Sequence, residues 1–145
     1  MGLFSWLFGT SGRTPHPMES ASPENVNFLR GPGMFKLAVV GESHYQSNLG
    51  KICGPPDEDG EERKVLAILI FEDSNPFDNR AVRVDVEGMT VGYLDRETAR
   101  SFRERAASIP DNGLHLACYA VIRGGWDDGE GDRGHYGVWL DIPIE

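Results

Sequence analysis

The segment with the most chemical potential is EDSNPFDNRAVRV, residues 72–84. Within six residues it places an aromatic ring, an acid, two amides and a base: Asn75, Phe77, Asp78, Asn79 and Arg80. Such a set can stack on a flat ligand, accept and donate hydrogen bonds, and contact phosphate. Asn75-Pro76 predicts a turn, because proline fixes its own φ and moves the preceding residue away from the helical region. A turn requires only some of these residues, so the others are candidates for binding.

Strands are predicted on both sides of this turn. VLAILIF (65–71) is an unbroken apolar run, typical of a buried strand. After the turn, Val82, Val84 and Val86 alternate with polar residues, which predicts a half-buried strand. Glu87-Gly88 then predicts a hairpin into a third strand, residues 89–94.

Two short helices are predicted to position further polar residues. In residues 41–54, Tyr45, Leu49 and Ile52 recur at helical spacing, and Ser43 is the expected N-cap. The N–H groups at this helix start would attract an anion such as phosphate. A second helix follows Asp95 as its cap, with two faces. One is apolar (Ala99, Phe102, Ala106) and the other is basic (Arg96, Arg100, Arg103).

With further strands at 35–40, 114–123 and 136–142, the chain contains about six strands and two helices. This pattern predicts a mainly β (α+β) protein, folded as a small OB-like β-barrel. Residues 1–33 are rich in Gly, Ser, Thr and Pro after a short apolar start, and predict a flexible leader. The folded domain is expected to span residues 34–145.

The net charge of −9 is unfavourable for nucleic acid, but its distribution is uneven. Nine of the 23 acids lie in two runs, within 57–62 and 127–132, and the remaining 14 equal the number of lysines and arginines. Local basic patches therefore remain compatible with the composition. No apolar stretch approaches the roughly 18 residues of a membrane span, and two distant cysteines favour a reduced, cytoplasmic setting.

Motifs for catalysis are sparse. The histidines and cysteines show no zinc spacing, and no glycine-rich phosphate loop is present. Glu72, Asp73 and Asp78 cluster as two-metal nucleases require of their acids, but no lysine-bearing partner motif lies nearby. We therefore expect a protein that is not an enzyme and that uses no cofactor or metal. The remaining enzymatic hypothesis, an activity on DNA ends, predicts a divalent cation held by Glu72 and Asp78.

Four segments together resemble the HIRAN domain: VVGESHYQ (39–46), EDSNPFDNRAVRV (72–84), VGYLDRETAR (91–100), and IRGGW with YGVWLDIP (122–126 and 136–143). The similarity covers about Phe35 to Glu145. In eukaryotes this domain lies at the front of DNA-translocating ATPases that remodel replication forks. The resemblance implies an OB-like module that holds the 3′-hydroxyl end of single-stranded DNA.

The resemblance also implies roles for individual residues. His44 and Tyr45 match two aromatic positions that stack on terminal bases, and Asp78 matches the acid that contacts the 3′-hydroxyl. The pocket would be completed by Asn75, Phe77, Tyr93 and Arg96. The chain departs from the family pattern at Ser43, where relatives have arginine, and at His44, which replaces an aromatic ring of larger area.

The leading hypothesis is a module that binds the 3′ end of single-stranded DNA in repair or at replication forks, with a repair or helicase protein as partner. Arg80, Arg96 and Arg100 would contact phosphates. The alternative is a protein–protein adaptor that uses the acidic runs and the Leu3–Phe8 segment. Basic surroundings of Asp78 would favour DNA, and an acidic rim would favour the adaptor.

Each candidate residue also has a purely structural interpretation. Tyr45 could anchor its helix in the core, and Phe77 could plug the end of the barrel. Asp78 could cap only its own turn. The row of Arg96, Arg100 and Arg103 could be a solvated helix face.

Overall fold

Most of the described chain belongs to one curled β-sheet. The computed structural model describes residues 26–54, 61–124 and 135–143. The strands are β1 (Val26–Phe28), β2 (Leu37–Ala38), β3 (Glu61–Phe71), β4 (Val82–Val86), β5 (Met89–Tyr93), β6 (His115–Gly124) and β7 (Gly137–Asp141). A 3₁₀ helix (Glu42–Tyr45) leads directly into α1 (Gln46–Cys53), and α2 (Arg96–Ala106) follows β5. None of the helices among these residues is long and apolar enough to span a membrane.

The sheet is curled, so that its two edge strands, β2 and β5, approach each other. Its order is β2-β7-β6-β3-β4-β5 with antiparallel neighbours, and β1 pairs in parallel with β6. Val40 and Tyr93 exchange two backbone hydrogen bonds of 2.8 and 2.9 Å, which bring β5 beside the segment that follows β2. Gly92 permits this approach, because a Cβ there would lie 2.7 Å from the Val40 carbonyl oxygen. The predicted mainly β, OB-like architecture with two short helices is confirmed.

The core lies inside the curl, where alternate strand residues meet both helices. β3 contributes Val65, Ala67 and Leu69, and α1 and α2 contribute Leu49 and Phe102. Full burial of each large apolar side chain stabilises the fold by about 1.5–3 kcal/mol. The other side chains of β3, such as Ile68, face outward and pack in a second small cluster beneath β1. Both faces of β3 are therefore apolar between Val65 and Phe71, which agrees with the unbroken apolar run in the sequence.

The start of the folded region differs from the prediction. β1 pairs Val26 with His115 and Phe28 with Ala117, and the backbone N–H groups of Gly33 and Met34 donate to Asp141. Residues 26–33 are therefore part of the domain, not of a leader ending at residue 33. A three-residue strand is too short to show periodicity, and its partner lies far along the chain. The leader prediction for residues 1–25 lies outside the described residues.

Two local predictions near the first helix are also corrected. The expected strand 35–40 is limited to Leu37–Ala38, since Phe35 has a positive φ of 50°. Ser43 is not an N-cap, because it lies within the 3₁₀ helix that Gly41 precedes with a φ of 78°.

By contrast, Asp95 caps α2 as predicted and accepts a 2.8 Å bond from the Thr98 N–H. The hairpin at Glu87-Gly88 is confirmed, and both residues have positive φ. The two acidic runs fall largely outside the described residues.

Candidate functional site

The turn between β3 and β4, residues 72–81, is shaped by the side chain of Asn75. Its Oδ1 accepts from the backbone N–H groups of Phe77 (2.8 Å) and Asp78 (3.2 Å), which is an Asx turn. Backbone bonds from Asn75 N to Glu72 O (3.1 Å) and from Ala81 N to Asp78 O (3.1 Å) close the two ends. The Phe77 side chain is left 90% exposed at the tip. The hypothesis that Phe77 plugs the barrel is therefore wrong.

Glu72 is the acceptor that joins this turn to the sheet. Its carboxylate accepts from Asn75 Nδ2 (3.0 Å), Arg83 Nη1 (2.9 Å) and the Tyr93 hydroxyl (3.1 and 3.2 Å). Its side chain is 17% exposed. Burial alone would raise the pKa of Glu72, but the hydrogen bonds from Asn75, Arg83 and Tyr93 outweigh it and leave the pKa below its ordinary value. Glu72 is therefore ionised and fully engaged at neutral pH.

The same network continues across β4 and β5. Arg83 also donates to Asp85 from Nε (3.0 Å), and the Thr90 hydroxyl donates to Asp85 at 3.0 Å. Tyr93 lies opposite Arg83 in the sheet. Burial raises the pKa of Tyr93 to about 12, and the Glu72 carboxylate and the nearby Tyr45 hydroxyl add to the increase. The Tyr93 hydroxyl therefore remains a hydrogen-bond donor at all physiological pH values.

Arg103 fixes the turn from the side of α2. It donates to the carbonyl oxygens of Arg80 (2.8 Å) and Ala81 (2.9 Å), and its Nη1 lies 2.7 Å from the Asp73 carboxylate. Its guanidinium also lies 4.4 Å from the Phe71 ring centroid. The Arg103 side chain is only 11% exposed. The interpretation of the basic row as a solvated face is therefore wrong for Arg103.

Asp78 lies beside the start of α2. Its Oδ1 accepts from the Arg80 N–H at 3.0 Å, and its Oδ2 lies 3.3 Å from Arg96 Nε. The hydrogen bond from the Arg80 N–H is the main cause of a lowered pKa of Asp78. Partial desolvation opposes this effect, and the charges of Arg96 and Arg100 reinforce it. Asp78 thus caps its own turn, as the structural interpretation expects, and also pairs with a second element.

A shallow concavity of about 520 Å³ lies between the turn and the first turns of α2, lined on the helix side by Arg96 and Arg100. Phe77 and Asp78 line its opposite side. The charged residues that line it are two carboxylates, Asp73 and Asp78, and two guanidiniums, Arg96 and Arg100. The lining of the concavity is therefore balanced in charge, whereas the whole chain carries a net charge of −9.

The segment 42–45 forms the other part of the predicted site. Gln46 Nε2 donates to the carbonyl oxygens of Glu42 (2.9 Å) and Tyr136 (3.0 Å), which fixes the segment against the start of β7. Tyr45 is half-buried beside Tyr93 and therefore contacts the Glu72 network. Ser43 and His44 are exposed, and the His44 ring meets Tyr45 edge-on at 6.5 Å.

Of the nine residues predicted for the site, six form one connected surface: Tyr45, Asn75, Phe77, Asp78, Tyr93 and Arg96. Arg80 contributes its backbone to this surface, while Ser43 and His44 lie at its periphery. The roles of Glu72 and Arg103 were missed. The role of Glu72 depends on the register of β3 and β4, in which Arg83 pairs with Ile70 and lies diagonal to Glu72, and the sequence analysis predicts no such register.

The two carboxylates of the enzymatic hypothesis each face an arginine. Glu72 lies 2.9 Å from Arg83, and Asp78 lies 3.3 Å from Arg96. Among residues 26–54, 61–124 and 135–143, no group of three or more His, Cys, Asp or Glu side chains is arranged to hold a metal ion.

Comparison with family models, curated proteins and solved structures gave no match for this chain. The resemblance to the HIRAN domain therefore rests on the sequence motifs.

Proposed function

We propose that this protein is a non-catalytic module that binds the 3′-hydroxyl end of single-stranded DNA in the concavity between the turn 72–81 and α2. The observation that carries this proposal is the 90% exposed Phe77, held beside an ionised Asp78 by a hydrogen-bonded turn. An exposed aromatic ring on a rigid support is suited to contact a ligand, because little conformational freedom is lost on binding.

Phe77 would stack on the terminal base. Base–aromatic stacking contributes about 1–3 kcal/mol per base and tolerates any sequence, since every base has a π face. Tyr45 would hold a neighbouring base from the other side of the Glu72 network. Together, these two contacts would favour a single strand with unstacked bases over a duplex.

Asp78 would select the end of the strand. Its oxygens accept from the Arg80 N–H and Arg96 Nε, and a carboxylate offers about four acceptor sites. Asp78 therefore retains capacity for a 3′-hydroxyl donor. A 3′-phosphate would instead bring negative charge against the carboxylate. Arg96 and Arg100 would contact the phosphates that precede the terminal nucleotide.

Arg96 and Arg100 balance Asp73 and Asp78 in the lining of the concavity, so this lining is not the acidic rim that the adaptor alternative predicts, and this favours DNA. The resemblance to the HIRAN domain supports the same choice. It also supports a role in DNA repair or at replication forks, with a repair or helicase protein as partner, and the two distant cysteines favour a cytoplasmic setting.

The test is a fluorescence-anisotropy titration at low salt with two strands of about ten nucleotides, within the range bound by one OB fold. One strand ends in a 3′-hydroxyl and the other in a 3′-phosphate. We expect at least about tenfold preference for the hydroxyl, corresponding to about 1.4 kcal/mol. Asp78→Asn should abolish this preference because it removes the charge at nearly constant volume.

Asp111→Asn is the matched control, since Asp111 is exposed beyond the end of α2. It should retain the wild-type preference. Equal affinity of the wild-type protein for both strands would exclude recognition of the 3′-hydroxyl. No binding of either strand would exclude the DNA proposal as a whole.

A further inference from the structure

The outer face of the sheet carries aromatic rings and cations that the concavity at Asp78 does not include. We define the aromatic–cation face by six residues: Phe28, Arg30, Lys64, Tyr119, Arg123 and Trp139. The register of the sheet places its strand residues side by side. Val121 of β6 pairs with Lys64 of β3 on one side and with Trp139 of β7 on the other. Tyr119 and Arg123 lie two residues from Val121, on the same face.

The rings and cations of this face are in direct contact. Lys64 Nζ lies 4.4 Å from the Tyr119 ring centroid, and the Phe28 ring meets Tyr119 edge-on at 4.9 Å. The Arg30 guanidinium lies 5.8 Å from the Phe28 centroid. Cations alternate with aromatic rings, so a ligand across this face would meet positive charge and flat apolar surface within a few ångströms.

Trp139 extends the face onto β7. A Cβ added to Gly137 would lie 2.7 Å from the Trp139 ring, so the indole lies across the Gly137 backbone instead of standing away from the sheet. The Arg123 guanidinium is 5.3 Å from the indole centroid and pairs with Glu62 at 2.9 Å. The glycine opposite Arg123 therefore makes room for a ring that lies along the sheet surface.

The charge of this face is opposite to that of the chain. Among its described residues, Arg30, Lys64 and Arg123 are exposed. Glu62 and Arg123 form an ion pair in which the two charges cancel, and Asp141, which is 6% exposed, accepts the N–H groups of Gly33 and Met34. The excess positive charge of the face therefore comes from Arg30 and Lys64. The net charge of the whole chain is −9. A basic, aromatic surface on an acidic protein is complementary to a polyanion that also offers flat rings.

We infer that the aromatic–cation face is a second binding surface, which holds the interior of a single nucleic-acid strand without requiring an end. Phosphates would meet Arg30, Lys64 and Arg123, and bases would stack on Trp139 and Phe28. This surface goes beyond the proposed end recognition and does not depend on Asp78. An acidic protein would match the charges but would leave the aromatic rings without a role.

The two surfaces can be reached by one strand. Lys64 lies eight residues from Glu72 on the outward parity of β3, which is roughly 26 Å at about 3.3 Å per residue. A strand of about eight nucleotides covers this distance even at the duplex rise of about 3.4 Å per nucleotide. Strands longer than this would contact both surfaces, and shorter strands would contact only one.

The test uses circular single-stranded DNA of roughly 30 nucleotides, about twice the largest site of one OB fold, because a circle has no 3′ end. We expect the full-length protein to bind it at low salt. Lys64→Ala should reduce the slope of log affinity against log salt by about 0.7, the value for one phosphate contact on a single strand. Trp139→Ala should weaken binding by roughly fivefold or more. Lys51→Ala, which removes an exposed cation from α1, is the matched control and should bind as wild type.

The outcomes separate this inference from the proposed function. Asp78→Asn should bind the circle as tightly as wild type. If the wild-type protein discriminates 3′-hydroxyl from 3′-phosphate but does not bind the circle, the second surface is excluded and end recognition stands. If the protein binds the circle but does not discriminate 3′-hydroxyl from 3′-phosphate, end recognition is excluded and the second surface stands. If polyglutamate displaces the circle efficiently and the Trp139 ring is dispensable, the face recognises acidic charge and the inference is wrong. Lys64→Glu decides the case if Trp139→Ala fails to fold, since unchanged affinity would overturn the inference.

Discussion

In the turn 72–81, the turn's own side chains and Arg103 fix the backbone, whereas in segment 42–45 the backbone is fixed by its neighbour Gln46. Asn75 binds two N–H groups of its own turn, and Glu72 accepts from three side chains. Around the 3₁₀ helix, Gln46 bonds to the carbonyl of Glu42 and to the backbone of Tyr136. The side chains of Ser43 and His44 remain exposed.

This difference separates residues that build a site from residues that contact a ligand. In the turn, the Asn75 amide and the Glu72 carboxylate are engaged in hydrogen bonds that fix its geometry, whereas Phe77 is exposed and Asp78 partly exposed. Asp73, Ser74, Pro76, Asn79 and Arg80 are exposed as well. In segment 42–45, Ser43 and His44 can change with little effect on the backbone. Substitutions in the turn should therefore lower the free energy of unfolding, whereas substitutions in segment 42–45 should change it little.

The largest expected effect is that of Glu72→Ala. It leaves Tyr93, Asn75 and one arm of Arg83 without their acceptor, and hydrogen bonds to charged groups contribute about 1.5–3 kcal/mol each before compensation by water. Since Glu72 is partly exposed and Arg83 keeps Asp85, we expect a loss of about 2–3 kcal/mol in the free energy of unfolding. Urea denaturation measures it.

Glu42→Ala is the matched control in the other segment. Only the backbone carbonyl of Glu42 is bonded to Gln46, so the side chain can be removed without losing that contact. We expect a change within about 0.5 kcal/mol. Equal losses for the two variants would show that the turn has no special structural role.

The parts of the fold that follow local patterns could be predicted from the sequence. The valines of β4, the hairpin at Glu87-Gly88 and the Asp95 cap each depend on residues within a few positions of one another. The turn at Asn75 follows for the same reason, whereas the exposure of Phe77 is known only from the structure. Local propensity carries this information without knowledge of the tertiary fold.

The remaining features depend on distant contacts. β1 is ordered by pairing with β6, and Arg103 binds the carbonyls of residues more than 20 positions earlier. Helical spacing places Arg96, Arg100 and Arg103 together, but it does not reveal that only Arg103 reaches under the turn. Side-chain contacts between elements are set by how α2 packs on the sheet, which no periodicity encodes.

Arg103→Ala has the second largest expected effect, because the same turn would lose its attachment to α2. The substitution removes two bonds to carbonyl oxygens, the Asp73 ion pair and the contact with the Phe71 ring. We expect the free energy of unfolding to fall by about 2 kcal/mol. Arg100→Ala, on the exposed part of the same helix, should change it by less than about 0.5 kcal/mol. Similar values for both arginines would contradict the proposed attachment.

A smaller effect is expected from pH. Because the pKa of Glu72 is lower in the folded protein than its ordinary value of 4.5, its stabilising contribution is complete above pH 4.5 and decreases as the pH falls through the folded-state pKa. The contribution of Asp78 to stability depends on pH in the same direction, since its pKa is also lowered. Glu72→Gln should therefore flatten the loss of stability below pH 4.5, as measured by urea midpoints. An unchanged loss of stability below pH 4.5 in Glu72→Gln would refute the assignment to Glu72.

The smallest effect on stability is expected for Phe77→Ala. Its side chain is 90% exposed and the turn bonds only its backbone N–H, so the free energy of unfolding should change by less than about 0.5 kcal/mol. The same substitution should weaken binding of a 3′-hydroxyl strand by roughly fivefold to 150-fold if the ring stacks on a base. Thermal unfolding and anisotropy on the same samples measure both quantities. A fall in stability without a change in affinity would show that Phe77 is a structural residue. The proposed stacking of Phe77 on the terminal base would then be excluded.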